Sequence, residues 1–139
     1  MNQHQIEIRI YYEDTDMSGI VYHANYLKFF ERGRTEAFRQ TGLGHADLLE
    51  MTPPLAFAAR RLTVEYLRPA RIDDLLTVTS VVTEARGARM VFSQEIHNGD
   101  ALLATAEVLI ACITLEGRPA RLPQQVVDYH HAQISRNGD

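Results

Sequence analysis

An α+β domain, one long helix laid on an antiparallel sheet, is the fold class the sequence predicts. Three observations predict it: an alternating segment near the N-terminus, one amphipathic helix after it, and four strand-like segments in succession behind them. "IEIRIYY" sets Ile6, Ile8 and Ile10 against Glu7 and Arg9, the pattern of a half-buried strand. From Tyr26 the period changes. Tyr26, Phe30, Gly33 and Ala37 fall on one helical face with Phe29 and Phe38 beside them, while Lys28, Glu31, Arg32, Glu36 and Arg39 lie mostly elsewhere. Gly42 supplies a stop. Gly33 in mid-helix costs about 1 kcal/mol relative to alanine, so it reads as a place where the helix sits close against the sheet.

"GHADLLEM" reads as a short second helix ended by Pro53-Pro54. Strand patterns follow in "FAARRLTVEYL", "LLTVTSVVT", "RMVFSQEI" and "ALLATAEVLIACITL", parted by short turns of which Asn98-Gly99 is a strong hairpin signal. The expectation is four strands in hairpin succession, five in all. The last is apolar on both faces, Ala104, Ala106, Val108 and Ile110 against Leu103, Leu109, Ala111 and Ile113, and so is expected to be central and covered on both sides. One helix cannot cover both faces of such a sheet, so a homo-oligomer is expected. The tail from about residue 124 reads as a short helix that frays into disorder.

At 139 residues the chain is one domain by length. A formal net charge of −4 argues against general nucleic-acid binding. The sequence has no apolar run long enough for a transmembrane helix and no signal-peptide pattern at its start, and its single cysteine, Cys112, rules out an internal disulfide. A cytoplasmic location is the default expectation. Cys112 lies in an apolar run and reads as a small buried hydrophobe. His130 and His131 are adjacent and point apart, with no carboxylate–histidine spacing around them, so no metal site is expected.

The chemistry concentrates in "YYEDTDMSGIVYHANYLKFFERGR". Glu13, Asp14 and Asp16 precede Gly19, and a helix begins near His23 to Asn25. A helix start carries unpaired N–H groups and a partial positive charge, able to polarise a carbonyl and stabilise its oxyanion. A carboxylate just upstream, across a tight turn, can reach the carbonyl carbon as nucleophile or as the base that activates water. Spacing alone leaves a second reading open, in which the acids only favour the helix dipole.

The run "TDMSGIVYHANYLKFFERGR" resembles the active-site signature of the 4-hydroxybenzoyl-CoA thioesterase family, matching at Thr15, Asp16, Gly19, Ile20, Val21, Tyr22, Asn25 and Tyr26. More narrowly, "YYEDTD", "GIVYHANYLKFFERGRTE", "RRLTVEYLRPARIDDLL" and "EVLIACI" are similar to the YbgC-type acyl-CoA thioesterases encoded with the Tol–Pal envelope system, to about Pro123. The resemblance implies a hotdog fold, an antiparallel sheet wrapped around one long helix, with protomers pairing to extend the sheet and a tetramer as the expected assembly. It implies an acyl-CoA substrate and no cofactor, coenzyme A being part of the substrate; acyl carrier protein is a further candidate partner.

Carried over by position, the family's catalytic carboxylate falls on Asp16 and the oxyanion-binding N–H on His23. Tyr12 and the His23 side chain take supporting roles, although Tyr12 also reads as the packed last residue of the strand. Gly19 allows the turn, and Val21 borders the substrate. Asn25 and Tyr26 read as fixing the start of the helix. Glu31 reads as structural, although another hotdog group places its catalytic glutamate on the central helix. For the phosphates of coenzyme A the candidates are Arg86 and Arg89, with Arg60 and Arg61 behind; each also reads as a solvated turn charge. The alternative function is an acyl-carrier or envelope-assembly binding protein with little turnover. The acyl group, aliphatic or aromatic, stays open, with kinship tilting towards aliphatic.

Overall fold

The computed structural model describes residues 3–137, with side chains through Ile134. β1 (His4–Arg9) leads through a 3-10 turn (Tyr12–Asp14) to α1 (Asn25–Arg39) and α2 (His45–Leu49). β2 (Leu55–Tyr66), β3 (Leu75–Arg86), β4 (Arg89–Asn98), β5 (Ala101–Thr114) and α3 (Gln124–Asn137) follow. The five strands form one antiparallel sheet in the order β1-β3-β4-β5-β2.

Only β3, β4 and β5 follow one another as hairpins, through turns at Gly87 and Gly99, both at positive φ. β2 does not pair with β3 as the succession of strands suggested. It crosses the sheet and pairs with β5 along Leu55 to Tyr66, becoming an edge. The connection from Leu67 to Asp74 is too irregular for a hairpin turn, and its backbone bonds go elsewhere. Ala70 O accepts from Val21 N–H, Asp74 O accepts from Ile10 N–H, and Ile10 O accepts from Asp73 N–H, each at 2.9 Å. An isolated bridge joins Ile20 to Arg71. The crossover is a strap over the segment that leads into α1.

β5 is interior but not the middle strand, a place held by β4. Its inner row, Ala104, Ala106, Val108, Ile110 and Cys112, is buried, as expected for Cys112. Its outer row includes exposed Glu107 and partly exposed Thr105, Leu109, Ala111 and Ile113. The expectation of cover on both faces therefore fails within one chain, because α1 lies on one side only, over β1, β3 and β4.

α1 sits close because of Gly33. A Cβ there would stand 2.8 Å from Val78 Cγ1, 3.0 Å from Ser80 Oγ and 3.1 Å from Gln94 Nε2. Gln94 is wholly buried, and its Nε2 donates to Phe30 O at 2.9 Å and to Ser80 Oγ at 2.8 Å. Its Oε1 accepts from an Arg34 guanidinium N–H at 3.1 Å. The buried amide thus has partners on both ends, which is what makes its burial tolerable.

α3 packs against β3 and closes the far end of the core with Val126. Gln125 Nε2 donates to Thr41 O at 2.7 Å, fastening α3 to the end of α1. The helix is fourteen residues long rather than short; the disorder expected past it lies outside the described residues. His130 is 5% exposed and burial, then the neighbouring His131, lowers its pKa to about 4. Among the described residues no helix is long and apolar enough to cross a membrane.

Two outcomes follow. Gly33→Ala gains about 1 kcal/mol of helix propensity but overpacks a stiff valine and a tethered amide, which costs about 1–3 kcal/mol; the net is a lowered Tm in thermal unfolding. His130 is neutral when folded and takes up a proton more readily when unfolded. Its contribution, up to about 3 kcal/mol, is therefore complete above about pH 6.5 and is lost as pH falls towards 4. A His130→Phe variant is expected to unfold with a shallower pH dependence across that window, measured by denaturant titration.

Candidate active site

Between the 3-10 turn and α1 the chain folds back on itself as a miniature hairpin. Tyr22 N–H donates to Asp14 O and Asp16 N–H to Ile20 O, both at 2.9 Å, and Thr15 bridges Val21. Gly19 closes the tip at φ +80°, where nothing crowds its Cβ position, so the backbone conformation alone selects glycine. Its N–H donates to Asp16 O at 3.1 Å.

Asp14 fixes the geometry. Its Oδ2 accepts from Tyr11 N–H at 2.8 Å and its Oδ1 from Asn25 Nδ2 at 2.9 Å, so one carboxylate ties the 3-10 turn to the start of α1. Tyr26 extends the tie, since its hydroxyl accepts from Ala70 N–H at 2.9 Å within the strap. Asn25 and Tyr26 hold the start of the helix, as their place in the sequence suggested.

Asp16 is exposed near the hairpin tip. Its Oδ1 accepts from Ser18 Oγ at 2.7 Å and Ser18 N–H at 2.8 Å. These bonds, the hydroxyl first, lower its pKa below the usual carboxylate value, keeping it ionised at neutral pH. The backbone N–H groups of Ile20 and of Asp16 itself lower that pKa further, more weakly. An ionised oxygen held in place and open on one side is what nucleophilic or base chemistry needs.

His23 stands just before α1, where its own backbone N–H meets no acceptor among the described residues. Its carbonyl accepts from Tyr66 Oη at 3.0 Å, and burial raises the Tyr66 phenol, which keeps that donor protonated. The rings of His23 and Tyr66 meet edge to face, centroids 6.2 Å apart. His23 and Val21 open on a cavity of about 300 Å³ walled by Ile20, Tyr26, Tyr66, Leu67 and Pro69. The structure thus sets His23, whose amide meets no acceptor among the described residues, beside an apolar hollow.

Asp16, Tyr12 and Gly19 lie outside the lining of that hollow. Tyr12 does not end the strand, which stops at Arg9; it opens the 3-10 turn and is 84% exposed, so it is not packed as one reading held. Arg86 and Arg89 flank the β3–β4 turn and share Glu84, at 3.2 Å and 2.7 Å. With Arg60, the extra residue of a bulge in β2, they line a separate cavity of about 410 Å³. Three arginines line this hollow and two of them share one carboxylate, which leaves it net positive and suited to phosphate. Arg61 does not line it.

Sequence reading missed Ser18, Asp14 as a tether, and Tyr66. The Asp-x-Ser spacing at 16–18 is the local signal for the first, because such side chains bond the backbone two residues on. Tyr66 carries no local signal, since only the β2 crossover places it against His23.

Residues 18–105 match the family model of the Thioesterase superfamily. The chain belongs to that superfamily, and its fold is the hotdog fold. It is 45% identical over 122 residues to the acyl-CoA thioester hydrolase YbgC of Escherichia coli O6:H1, covering 86% of this chain and 90% of that one. It is 41% identical over 132 residues to the acyl-CoA thioesterase YbgC of Haemophilus influenzae, covering 94% and 96%. A probable thioesterase from Bartonella henselae has a crystal structure that superposes with a TM-score of 0.85 at 44% identity, over 88% of this chain and all of that one. The superfamily match opens at Ser18, just past Asp16.

Tyr26→Phe removes the one partner, among the described residues, of a buried amide, Ala70 N–H. A loss of about 1–3 kcal/mol is expected, with faster hydrogen exchange at Ala70 as the local readout.

Proposed function

We propose that the chain hydrolyses the thioester of an acyl-CoA to a free acid and coenzyme A. The observation that carries this reading is an ionised, exposed carboxylate on a small hairpin, followed seven residues on by an unpaired N–H at the start of the helix. The thioester oxygen accepts from the His23 N–H, which strengthens as negative charge develops on it. Asp16 attacks the carbonyl carbon, or takes a proton from the water that does; the sulfur leaves with the bonding electron pair and is protonated to the thiol, and in the first route water then cleaves the acyl-aspartyl anhydride to the free acid and the restored carboxylate. Tyr12 and the His23 ring flank the acid in supporting roles. The nucleotide phosphates rest among Arg86, Arg89 and Arg60.

A second copy of the chain completes this site. Tyr12, Met17 and Tyr22, on the same segment as Asp16, and Leu67, beside the His23 hollow, are large hydrophobic side chains left exposed. β2 is an open edge with Leu62 and Tyr66 exposed on it, a surface that pairing with another β2 would satisfy. A dimer built this way, and a tetramer from two dimers, supplies the cover that one helix does not.

Replacing Asp16 with Ala or Asn is expected to lower kcat at least about a hundred-fold with an unchanged circular dichroism spectrum, measured by release of free thiol from an acyl-CoA panel. Equal trace rates in wild type and both variants would leave binding without turnover. Single-turnover hydrolysis in heavy-oxygen water separates the two roles of Asp16: label in its carboxylate means a covalent anhydride.

A further inference from the structure

Between the Asp16 hairpin and the body of α1 the chain makes one tight turn. Asn25 N–H donates to Tyr22 O at 2.9 Å, which puts His23 and Ala24 at its centre. Backbone bonds hold both flanks, from Tyr22 N–H to Asp14 O at 2.9 Å and from Leu27 N–H to Ala24 O at 3.2 Å. In between, the N–H groups of His23 and Ala24 meet no acceptor among the described residues. The peptide group that joins His23 to Ala24 is the middle of the turn. Among the described residues its carbonyl accepts one bond, from Tyr66 Oη at 3.0 Å.

A middle peptide can rotate while the ends of its turn stay fixed, and the two commonest turn types differ by that rotation. Ala24 has φ −69° and ψ −22°, the helical conformation, in which N–H groups point out of the helix start. Rotation would exchange that N–H for a carbonyl oxygen, which repels a developing oxyanion. Tyr66 opposes the rotation from the far side of the peptide. Its bond also draws electron density from the carbonyl and makes the Ala24 N–H a better donor. The hydroxyl itself is well placed to do this. Tyr66 pairs with Ala104 at the end of β2, and the Leu67 N–H beyond it donates to Leu103 O at 2.8 Å. Its ring meets those of Tyr26 and His23 edge to face, at centroid distances of 5.3 Å and 6.2 Å.

We propose that Tyr66 is a positioning residue of the hydrolysis: its hydroxyl holds the His23–Ala24 peptide so that two adjacent N–H groups, of His23 and Ala24, receive the thioester oxygen as charge develops on it. The inference rests on the acyl-CoA hydrolase reading above and adds Tyr66 and the Ala24 N–H to its site. Tyr66 acts through the backbone and transfers no proton.

The test compares thiol release from an acyl-CoA by wild type, by Tyr66→Phe, and by a protein with difluorotyrosine in place of Tyr66 alone. Tyr66→Phe keeps the ring and loses the hydroxyl. Its kcat is expected to fall roughly ten-fold, less than the loss of a direct oxyanion donor, with KM within about two-fold of wild type. The fluorinated phenol ionises at lower pH, and a phenolate cannot donate to a carbonyl. Its kcat is therefore expected to gain a reversible fall on the alkaline side that wild type and Tyr66→Phe lack. A residue that only packs would move neither the split between kcat and KM nor this limb. The fluorinated protein keeps the bond at neutral pH, so it reads the proposal even where Tyr66→Phe fails to fold. An unchanged kcat in Tyr66→Phe, a change confined to KM, or a fluorinated profile that superposes on wild type overturns the proposal while leaving hydrolysis intact. No hydrolysis by wild type overturns the hydrolase reading and this inference with it.

Discussion

The strap from β2 to β3 is the constraint on which the rest depends. It has no sheet pairing of its own along most of its length, so its backbone groups must find partners elsewhere. They find them on the end of β1, on the Asp16 hairpin and on the Tyr26 hydroxyl. Ala70 is fully buried and serves from both sides, its carbonyl holding Val21 and its amide held by Tyr26. A hairpin this small would not hold one conformation by itself. Held from above by the strap and from below by Asp14, it presents Asp16 and the start of α1 as one rigid unit.

Depth is set by a different contact. Gly33 lets α1 descend until its backbone meets the side chains of β3 and β4, and Gln94 then bonds a helix carbonyl. A helix standing higher would lift His23 away from Tyr66 and break the bond that fixes its peptide group. The close approach under the middle of α1 and the orientation of its start are thus parts of one arrangement. Helix position, and not only helix formation, is what the core encodes.

Much of this was legible in the residues themselves. The period change at Tyr26, the glycine on the apolar face and the Asn98-Gly99 turn were local signals, and each lies where its chemistry suggested. The strand order was not legible. β2 and β3 are adjacent in sequence and each reads as a strand, but nothing local says that the eight-residue link from Leu67 to Asp74 spans the sheet. For the same reason Tyr66 and Ala70 went unnoticed. Asp16 was legible as an acid before a turn, whereas its bond to Ser18 required only a look two residues on. The long α3 was obscured because Val126 and His130 are its buried contacts, and a histidine does not read as core until its surroundings strip water from it.

Met17, next to Asp16, is fully exposed at the hairpin tip. Its thioether therefore meets dissolved oxidants as freely as a peptide in solution does, and conversion to the sulfoxide adds one oxygen without needing any part of the core to open. The loop so carries a built-in footprinting probe: the rate at which peroxide marks this methionine, read by mass spectrometry, reports whether the tip is bare or covered.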